Sequence, residues 1–300
     1  MKTSSIRTIF ESLRPRQWTK NLILFAGLIF SQHATDPTLL WRATVGGILF
    51  CLLSGVVYIF NDIKDIEHDR RHPVKRERPL ASGRLDVRAA EIAALVLAVV
   101  SLGGALLLGL RFALIAAMFL LLNVAYTHGL KRLVILDVVG IAIGFVLRAI
   151  ASVEVLRDAA YHIPLSNWLI LCTFLLALFL GFAKRRAEYM HVLPAGLETR
   201  PSLRFYNELT LNLLIGGTFA LTVTAYAMYT MSPGTVAQFD TWHLVMTVPF
   251  VVWGLGRYLV LIFMDGQGSM PHEVLLTDIW IQLALLGWIV TACLVIGLQG

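Results

Sequence analysis

The sequence predicts an all-α, polytopic membrane protein of about nine transmembrane helices, and three observations carry that reading. Its 300 residues are 57% hydrophobic and 15% charged, whereas a soluble domain is roughly 45–50% apolar and about 25% charged. The apolar residues come in blocks, and a bilayer core of about 30 Å takes roughly 20 such residues of helix. The basic residues fall in alternate gaps between the blocks, as they do in loops that share one side of a membrane. Lipid offers the backbone no hydrogen bonds, so each block reads as a helix.

The blocks span 21–32 (short), 40–60, 89–110, 112–126, 133–152, 166–183, 209–229, 242–264 and 278–298. The first follows "MKTSSIRTIFESLRPRQWTKN", whose apolar core comes late and lacks a small-residue cleavage site. That is not a signal-peptide layout, so the block is expected to stay as a helix. The second ends in Val56-Val57-Tyr58-Ile59-Phe60 and meets the acidic stretch "NDIKDIEHD", 61–69. Gly-Leu-Arg at 109–111 makes a tight hairpin between the third and fourth blocks. Between the last two, "DGQGSMPHEVLLTD" (265–278) reads as a glycine-rich turn and a helix start, with Pro271 in its first turn. No gap is long enough for a soluble domain, so 1–300 reads as a single integral membrane domain. The longest gaps, 61–88 and 183–208, hold the chemistry-bearing residues and read as active-site loops.

The formal net charge is +6, and its distribution points to topology and anionic ligands rather than nucleic acid. Lys2, Arg7, Arg14, Arg16 and Lys20 precede the first helix. Eight more cations, from Lys64 to Arg88, lie between the second and third. Lys131 and Arg132, then Lys184, Arg185, Arg186, Arg200 and Arg204, follow on the same side. The opposite gaps hold only Arg42, Arg111 and Arg157. The N-terminus and the charged loops are therefore expected to be cytoplasmic, in a multi-pass protein of the cell (inner) membrane. Cys51, Cys172 and Cys293 lie in apolar blocks without a CxxC pair, so neither a zinc site nor a disulfide framework is indicated.

At about 100° per residue, Asp62, Asp65 and Asp69 share one helical stripe, and Asn61, Asp65 and Asp69 an overlapping one. Clustered carboxylates repel unless a cation sits among them. Oxygen donors suit a hard ion, and Mg²⁺ is commonly held by a few carboxylates plus substrate phosphates. The stripe reads either as a Mg²⁺–diphosphate site or as a solvated, charge-mixed loop. His68 and His72 share the spacing of a metal pair but lack a third ligand.

"NDIKDIEHD" followed by "RERPLASG" (76–83) resembles the N-D-x-x-D-x-x-x-D and R-P-L-x-S-G signature of the UbiA superfamily of intramembrane prenyltransferases. That resemblance implies nine helices bundled around a central cavity. It implies Mg²⁺ held on a diphosphate by Asn61, Asp62, Asp65 and Asp69, with Arg78 as a diphosphate neighbour. The superfamily's usual second acidic motif, D-x-x-x-D, is missing after the sixth helix. "GFAKRRAEYMHV" (181–192) stands there, with Lys184, Arg185 and Arg186 and only Glu188 acidic. A basic motif opposite an acidic one suits a second, phosphate-bearing substrate, since Arg and Lys donate to phosphate oxygens. "KRR" reads equally as a positive-inside anchor.

"SLRPRQWTKNLILFAGLIFS" (12–31), "YTHGLKRLVILDV" (126–138) and "KRRAE" (184–188) together resemble the polyprenyl-phosphate phosphoribosyltransferase branch of that superfamily. The resemblance implies a Mg²⁺-dependent enzyme that moves 5-phosphoribosyl from phosphoribosyl pyrophosphate to a polyprenyl phosphate such as decaprenyl phosphate, releasing pyrophosphate. A conventional prenyltransferase, joining a prenyl diphosphate to an aromatic acceptor, is the alternative and predicts a second acidic motif. A non-catalytic lipid-phosphate transporter leaves the acidic stripe unexplained. The sequence leaves homo-oligomerisation open.

Further positions follow. Lys20 and Asn21 read as phosphate ligands, or Lys20 with Trp18 as interface anchors. Tyr126 and Lys131 flank the turn between the fourth and fifth helices, and Lys131, Lys184 and Arg185 are expected to hold the acceptor phosphate. Asp137, read as a turn or more inside the fifth helix, joins Asp62, Asp65 and Asp69 as a candidate catalytic carboxylate, because an ionised group there is costly unless it faces a polar cavity. Glu188, four residues after Lys184, reads as its helix-surface partner or as a group that orients it. Arg148 reads as a structural pair or as snorkelling, and Arg257 as facing the bundle interior. Asp265, Glu273 and Asp278 either border the site or face water.

Overall fold

Asp36 and Asp86 begin two of the longest helices by accepting hydrogen bonds from backbone N–H groups of the first turns, as carboxylate caps do. The computed structural model describes residues 6–31, 35–157, 163–192, 201–264 and 271–297. Among these residues all the regular structure is helical and there is no strand. The α-helices are α1 (Ile6–Ser12), α2 (Ala26–Phe30), α3 (Pro37–Lys64), α4 (Ile66–Arg71), α5 (Val87–Leu108), α6 (Leu110–His128) and α7 (Leu136–Glu154). They continue with α8 (Asn167–Ala187), α9 (Glu208–Met231), α10 (Pro233–Phe239), α11 (Val248–Met264), α12 (Pro271–Thr277) and α13 (Ile279–Gly297).

Eight helical spans among the described residues are long and apolar enough to cross a membrane. The expected block at 21–32 takes a different form: a 3-10 stretch, Pro15–Phe25, runs into the short α2. Pro15 starts it behind Arg14, whose φ is +53°. Many large apolar side chains are exposed, among them Ile92, Leu95, Val99 and Leu107 on α5, as a lipid-facing surface requires.

The chain divides into two compact units. The first comprises Met1–Lys131 and Ile143–Leu165. In it α3 packs on α5 and on the 3-10 stretch, and Phe50 meets the rings of Phe112 and Phe119. Leu13, Ile59, Leu80, Leu85 and Ala90 form a buried cluster under the 65–86 loop. Arg42 of α3 donates to the carbonyls of Val155 (2.7 Å) and Leu108 (2.5 Å), satisfying the C-terminal carbonyls where two helices end.

The second unit comprises Arg132–Ala142 and Ser166–Gly300. In it α8 packs on α9, and α11 on α13, around Phe179, Phe182, Leu211, Ile215 and Tyr258. Asp278, one of the acidic positions left open by the sequence, caps α13 through the Ile281 N–H (3.0 Å). It also pairs with Arg257 at 2.8 Å, which accounts for both residues structurally. Asp265 lies outside the described residues.

Gly181 of α8 sets the start of α7. A Cβ on it would stand 2.4 Å from Val138 Cγ1, so only glycine lets these two helices approach this closely. Gly181→Ala is expected to lower stability by about 1–3 kcal/mol through overpacking, and Val138→Ala in the same chain to recover most of it. Thermal unfolding of the detergent-solubilised single and double variants measures both.

Candidate functional site

In the first unit α3 carries the acidic stripe out of its apolar run. The helix breaks at Asp65 (φ −100°, ψ 13°), yet the Asp65 N–H still donates to the Asn61 carbonyl (2.9 Å) and the Asp69 N–H to the Asp65 carbonyl (2.8 Å). The i, i+4, i+8 stripe therefore persists into α4. Asp62 and Asp69 are buried, each 2% exposed. Asp65 is the open one, with 36% of its side chain exposed.

Each carboxylate meets a cation. Asp62 accepts from Arg14 and, at 3.2 Å, from Arg78. The Arg78 Nη1 also donates to Asp69 at 2.5 Å, so one guanidinium bridges two aspartates. Lys131 Nζ lies 3.2 Å from both Asp65 oxygens. The Asn61 side chain accepts from the Thr127 hydroxyl. Arg78 is held from behind. Ser82 returns its N–H and hydroxyl to the Arg78 carbonyl (2.9 and 2.8 Å), Leu80 and Leu85 are buried, and Gly83 turns the chain at φ +71°, a region natural to glycine. Arg84 donates to both oxygens of Glu11 (2.8 and 2.7 Å), which ties the loop to α1.

The second unit builds a centre of its own. Asp137 and Arg185 are both wholly buried, with Arg185 Nε 2.8 Å from Asp137 Oδ2. Asp137 also accepts from Ser202 (3.1 Å) and Tyr206 (3.0 Å). Glu188 pairs with Arg185 on its other side. Asp137 stands in the first turn of α7, not deeper within it. The helix starts late because Ile135 takes φ +67°, a conformation costly for a β-branched residue, and its N–H is held by the Tyr206 oxygen at 2.7 Å. Burial pushes the Tyr206 phenol above its ordinary range, and the Asp137 charge adds to this, so Tyr206 stays a donor to Asp137. Arg185, expected at an open mouth, is instead wholly buried and enclosed with two carboxylates. Arg186 is committed to Asn212 (2.8 Å) and the Ile262 carbonyl (2.9 Å).

Asn21 is buried in the first unit against Ser54 and Arg148, and the half-buried Lys20 donates to Gln17 at 3.1 Å. Tyr126 is half-buried in the last turn of α6, and Lys184 half-buried in that of α8. The first unit thus gathers Asn61, Asp62, Asp65, Asp69, Arg78 and Lys131, and the second gathers Asp137, Arg185 and Glu188. Sequence reasoning counted Arg14 only as a topological charge, and it did not single out Ser202 or Tyr206. No spacing signal marks them, since their partners lie 48, 65 and 69 residues away.

Comparison with known proteins adds to this geometry. The model of the UbiA prenyltransferase family matches residues 22–270. The chain is 32% identical over 294 residues to the decaprenyl-phosphate phosphoribosyltransferase of Mycolicibacterium smegmatis, covering 94% of this chain and 90% of the relative. It is 30% identical to the protein of that name from Corynebacterium glutamicum, covering 94% of this chain and 84% of the relative. Its fold is similar to a UbiA homolog from Archaeoglobus fulgidus solved with GPP and Mg²⁺, with TM-score 0.72, 19% identity, and 95% and 99% of the two chains covered.

Arg185→Leu strands a buried carboxylate, and the expected loss is about 3–5 kcal/mol of stability. Combining it with Asp137→Leu is expected to restore part of the loss, since the wholly buried carboxylate goes with its cation and only Glu188, whose side chain keeps 21% exposure, is left without Arg185. Unfolding midpoints of the two variants decide it; equal losses in both would refute the pairing.

Proposed function

This chain belongs to the UbiA prenyltransferase family, and from that premise we propose that it transfers 5-phosphoribosyl from phosphoribosyl pyrophosphate to a polyprenyl phosphate. The observation that carries this is its 30–32% identity, over 94% of its length, to proteins named decaprenyl-phosphate phosphoribosyltransferase. It is a multi-pass membrane protein. The bias of basic residues toward one set of loops favours a cytoplasmic active site in the cell membrane.

In the reaction the bond from the ribose anomeric carbon to pyrophosphate breaks, and a bond forms from that carbon to a phosphate oxygen of the lipid. The nucleophile is already ionised near neutral pH, so no general base is required. Arg14 and Arg78 are placed to turn from Asp62 and Asp69 toward a diphosphate, an acceptor that forms equally strong charge-assisted hydrogen bonds. Lys131 has the same choice beside Asp65. Lys184 and Lys20 are the remaining candidates for the acceptor phosphate. Arg185 acts through others, as the positioning residue for Asp137 and Glu188.

The oxygen donors Asn61, Asp62, Asp65 and Asp69 have the chemistry of a Mg²⁺ site. No three His, Cys, Asp or Glu groups converge on one point among the described residues. That still fits Mg²⁺, which commonly takes one or two carboxylates and completes its shell with substrate phosphates and water. When bound there, it would neutralise charge on the departing pyrophosphate.

The test supplies purified protein with labelled phosphoribosyl pyrophosphate, polyprenyl phosphate and Mg²⁺. Label is expected in the organic phase, and consumption of a prenyl diphosphate instead would overturn the reading. Asp65→Asn should cut turnover roughly 10²-fold or more with little change in unfolding temperature, because Asp65 is partly exposed. Wild-type turnover in that variant removes Asp65 from the site. Lys184→Ala is expected to raise the apparent KM for the lipid phosphate with kcat nearly unchanged, the signature of lost ground-state binding. An unchanged KM rejects that role.

A further inference from the structure

The first unit holds a second polar cluster, deeper along α3 than the acidic end, that the reaction above leaves unused. Arg148 lies within the membrane span of α7 and is 8% exposed. Its Nε donates to Asn21 Oδ1 at 2.8 Å and its Nη1 to the Gly144 carbonyl at 3.2 Å. The Phe119 and Phe145 rings lie 4.5 and 5.2 Å from its Cζ. Asn21 is fixed in turn, donating to Ser54 Oγ at 3.3 Å and Cys51 Sγ at 3.4 Å.

These partners are all neutral. Arg185, also buried, has two carboxylates, whereas no carboxylate pairs with Arg148 among the described residues. A cation inside a membrane span is costly, and carbonyls and ring faces offset only part of that. Its surroundings are therefore suited to an anion.

The cluster is also close to the acidic end. Arg14, which bridges to Asp62, stacks its guanidinium 4.9 Å from the centre of the Tyr58 ring. Ser54, which holds Asn21, lies eight residues before Asp62 on α3, about 12 Å along the helix at 1.5 Å per residue. All of these residues belong to the first unit.

We propose that Arg148, oriented by Asn21, receives the 5-phosphate of the donor, so that the site accepts a diphosphate with a second anionic end and disfavours one with a prenyl tail. The proposal rests on the donor assigned above. A hydrocarbon chain in that place would bury the guanidinium without a counter-charge, while a phosphate completes its hydrogen bonds.

The experiment compares phosphoribosyl pyrophosphate with ribose 1-diphosphate, which lacks the 5-phosphate, in the wild-type enzyme and in Arg148→Gln and Arg148→Lys. Inorganic pyrophosphate serves as a competitive probe of the diphosphate end alone. The wild type is expected to prefer the 5-phosphorylated donor by roughly tenfold or more in kcat/KM, as a site built for a polar group does. Arg148→Gln should erase most of that preference by raising donor KM, while inhibition by pyrophosphate changes less than about twofold. Arg148→Lys should fall between. Equal use of both donors by the wild type overturns the proposal without any variant, and so does equal weakening of donor and pyrophosphate in Arg148→Gln, the mark of a merely structural residue. If phosphoribosyl pyrophosphate is not turned over and a prenyl diphosphate is, the parent reading fails and this one with it.

Discussion

Carboxylates at the end of an apolar helix stay ionised and in place only where cations meet them, and the first unit is organised around that constraint. Removing one partner of a buried pair leaves a bare charge whose cost exceeds the worth of the pair. Asp62 and Asp69 are buried deeply enough for this to apply, and Arg78 answers both at once. The position of Arg78 is therefore not a local matter. It depends on Leu80 and Leu85 packing under the loop with Leu13 and Ile59, and on Arg84 reaching Glu11. Loop, α1 and the end of α3 form one support for a single guanidinium.

The second unit solves the same problem with the signs reversed. There the fully buried group is a cation, Arg185, held between Asp137 and Glu188. A guanidinium with two carboxylates is firmly fixed, and the spare negative charge is taken up by hydroxyl donors from Ser202 and Tyr206 on Asp137. The backbone cost at Ile135 belongs to this arrangement, because the same Tyr206 oxygen takes the Ile135 N–H. The start of α7 is thus pinned by a side chain from beyond α8.

The stripe from Asn61 to Asp69 was legible because it is a matter of spacing along one helix, and helix geometry alone puts those side chains on one face. The apolar spans were legible for the same reason: hydropathy over a window needs no tertiary information. Arg14 was not, since its meaning comes from a contact 48 residues away, and a basic residue before a membrane helix already has a sufficient explanation in topology. The burial of Arg185 was not legible either, since a "KRR" run reads as phosphate donors or as an anchor and does not reveal the two carboxylates that enclose its middle residue. Hydropathy also began α7 too early, at 133, because Leu133, Val134 and Ile135 are apolar enough to be helix. It cannot register a left-handed residue held by a tyrosine 71 positions later.

The balance of charge at the acidic end bears on what it attracts. Among the described residues Asp62, Asp65 and Asp69 face Arg14, Arg78 and Lys131, three of each sign. A bare diphosphate would meet the carboxylates, and a bare divalent cation would meet the guanidiniums, so neither gains from the site's long-range field. A metal–diphosphate complex would gain on both counts, because its two halves could each take opposite members of the existing pairs. The pairs would then exchange partners in place rather than be dissolved into water, which for buried groups is the expensive step. On the reading proposed above, such a site would respond to the complex more than to either component. The helix break at Asp65 assists this, since it leaves the most exposed carboxylate next to the two that are buried.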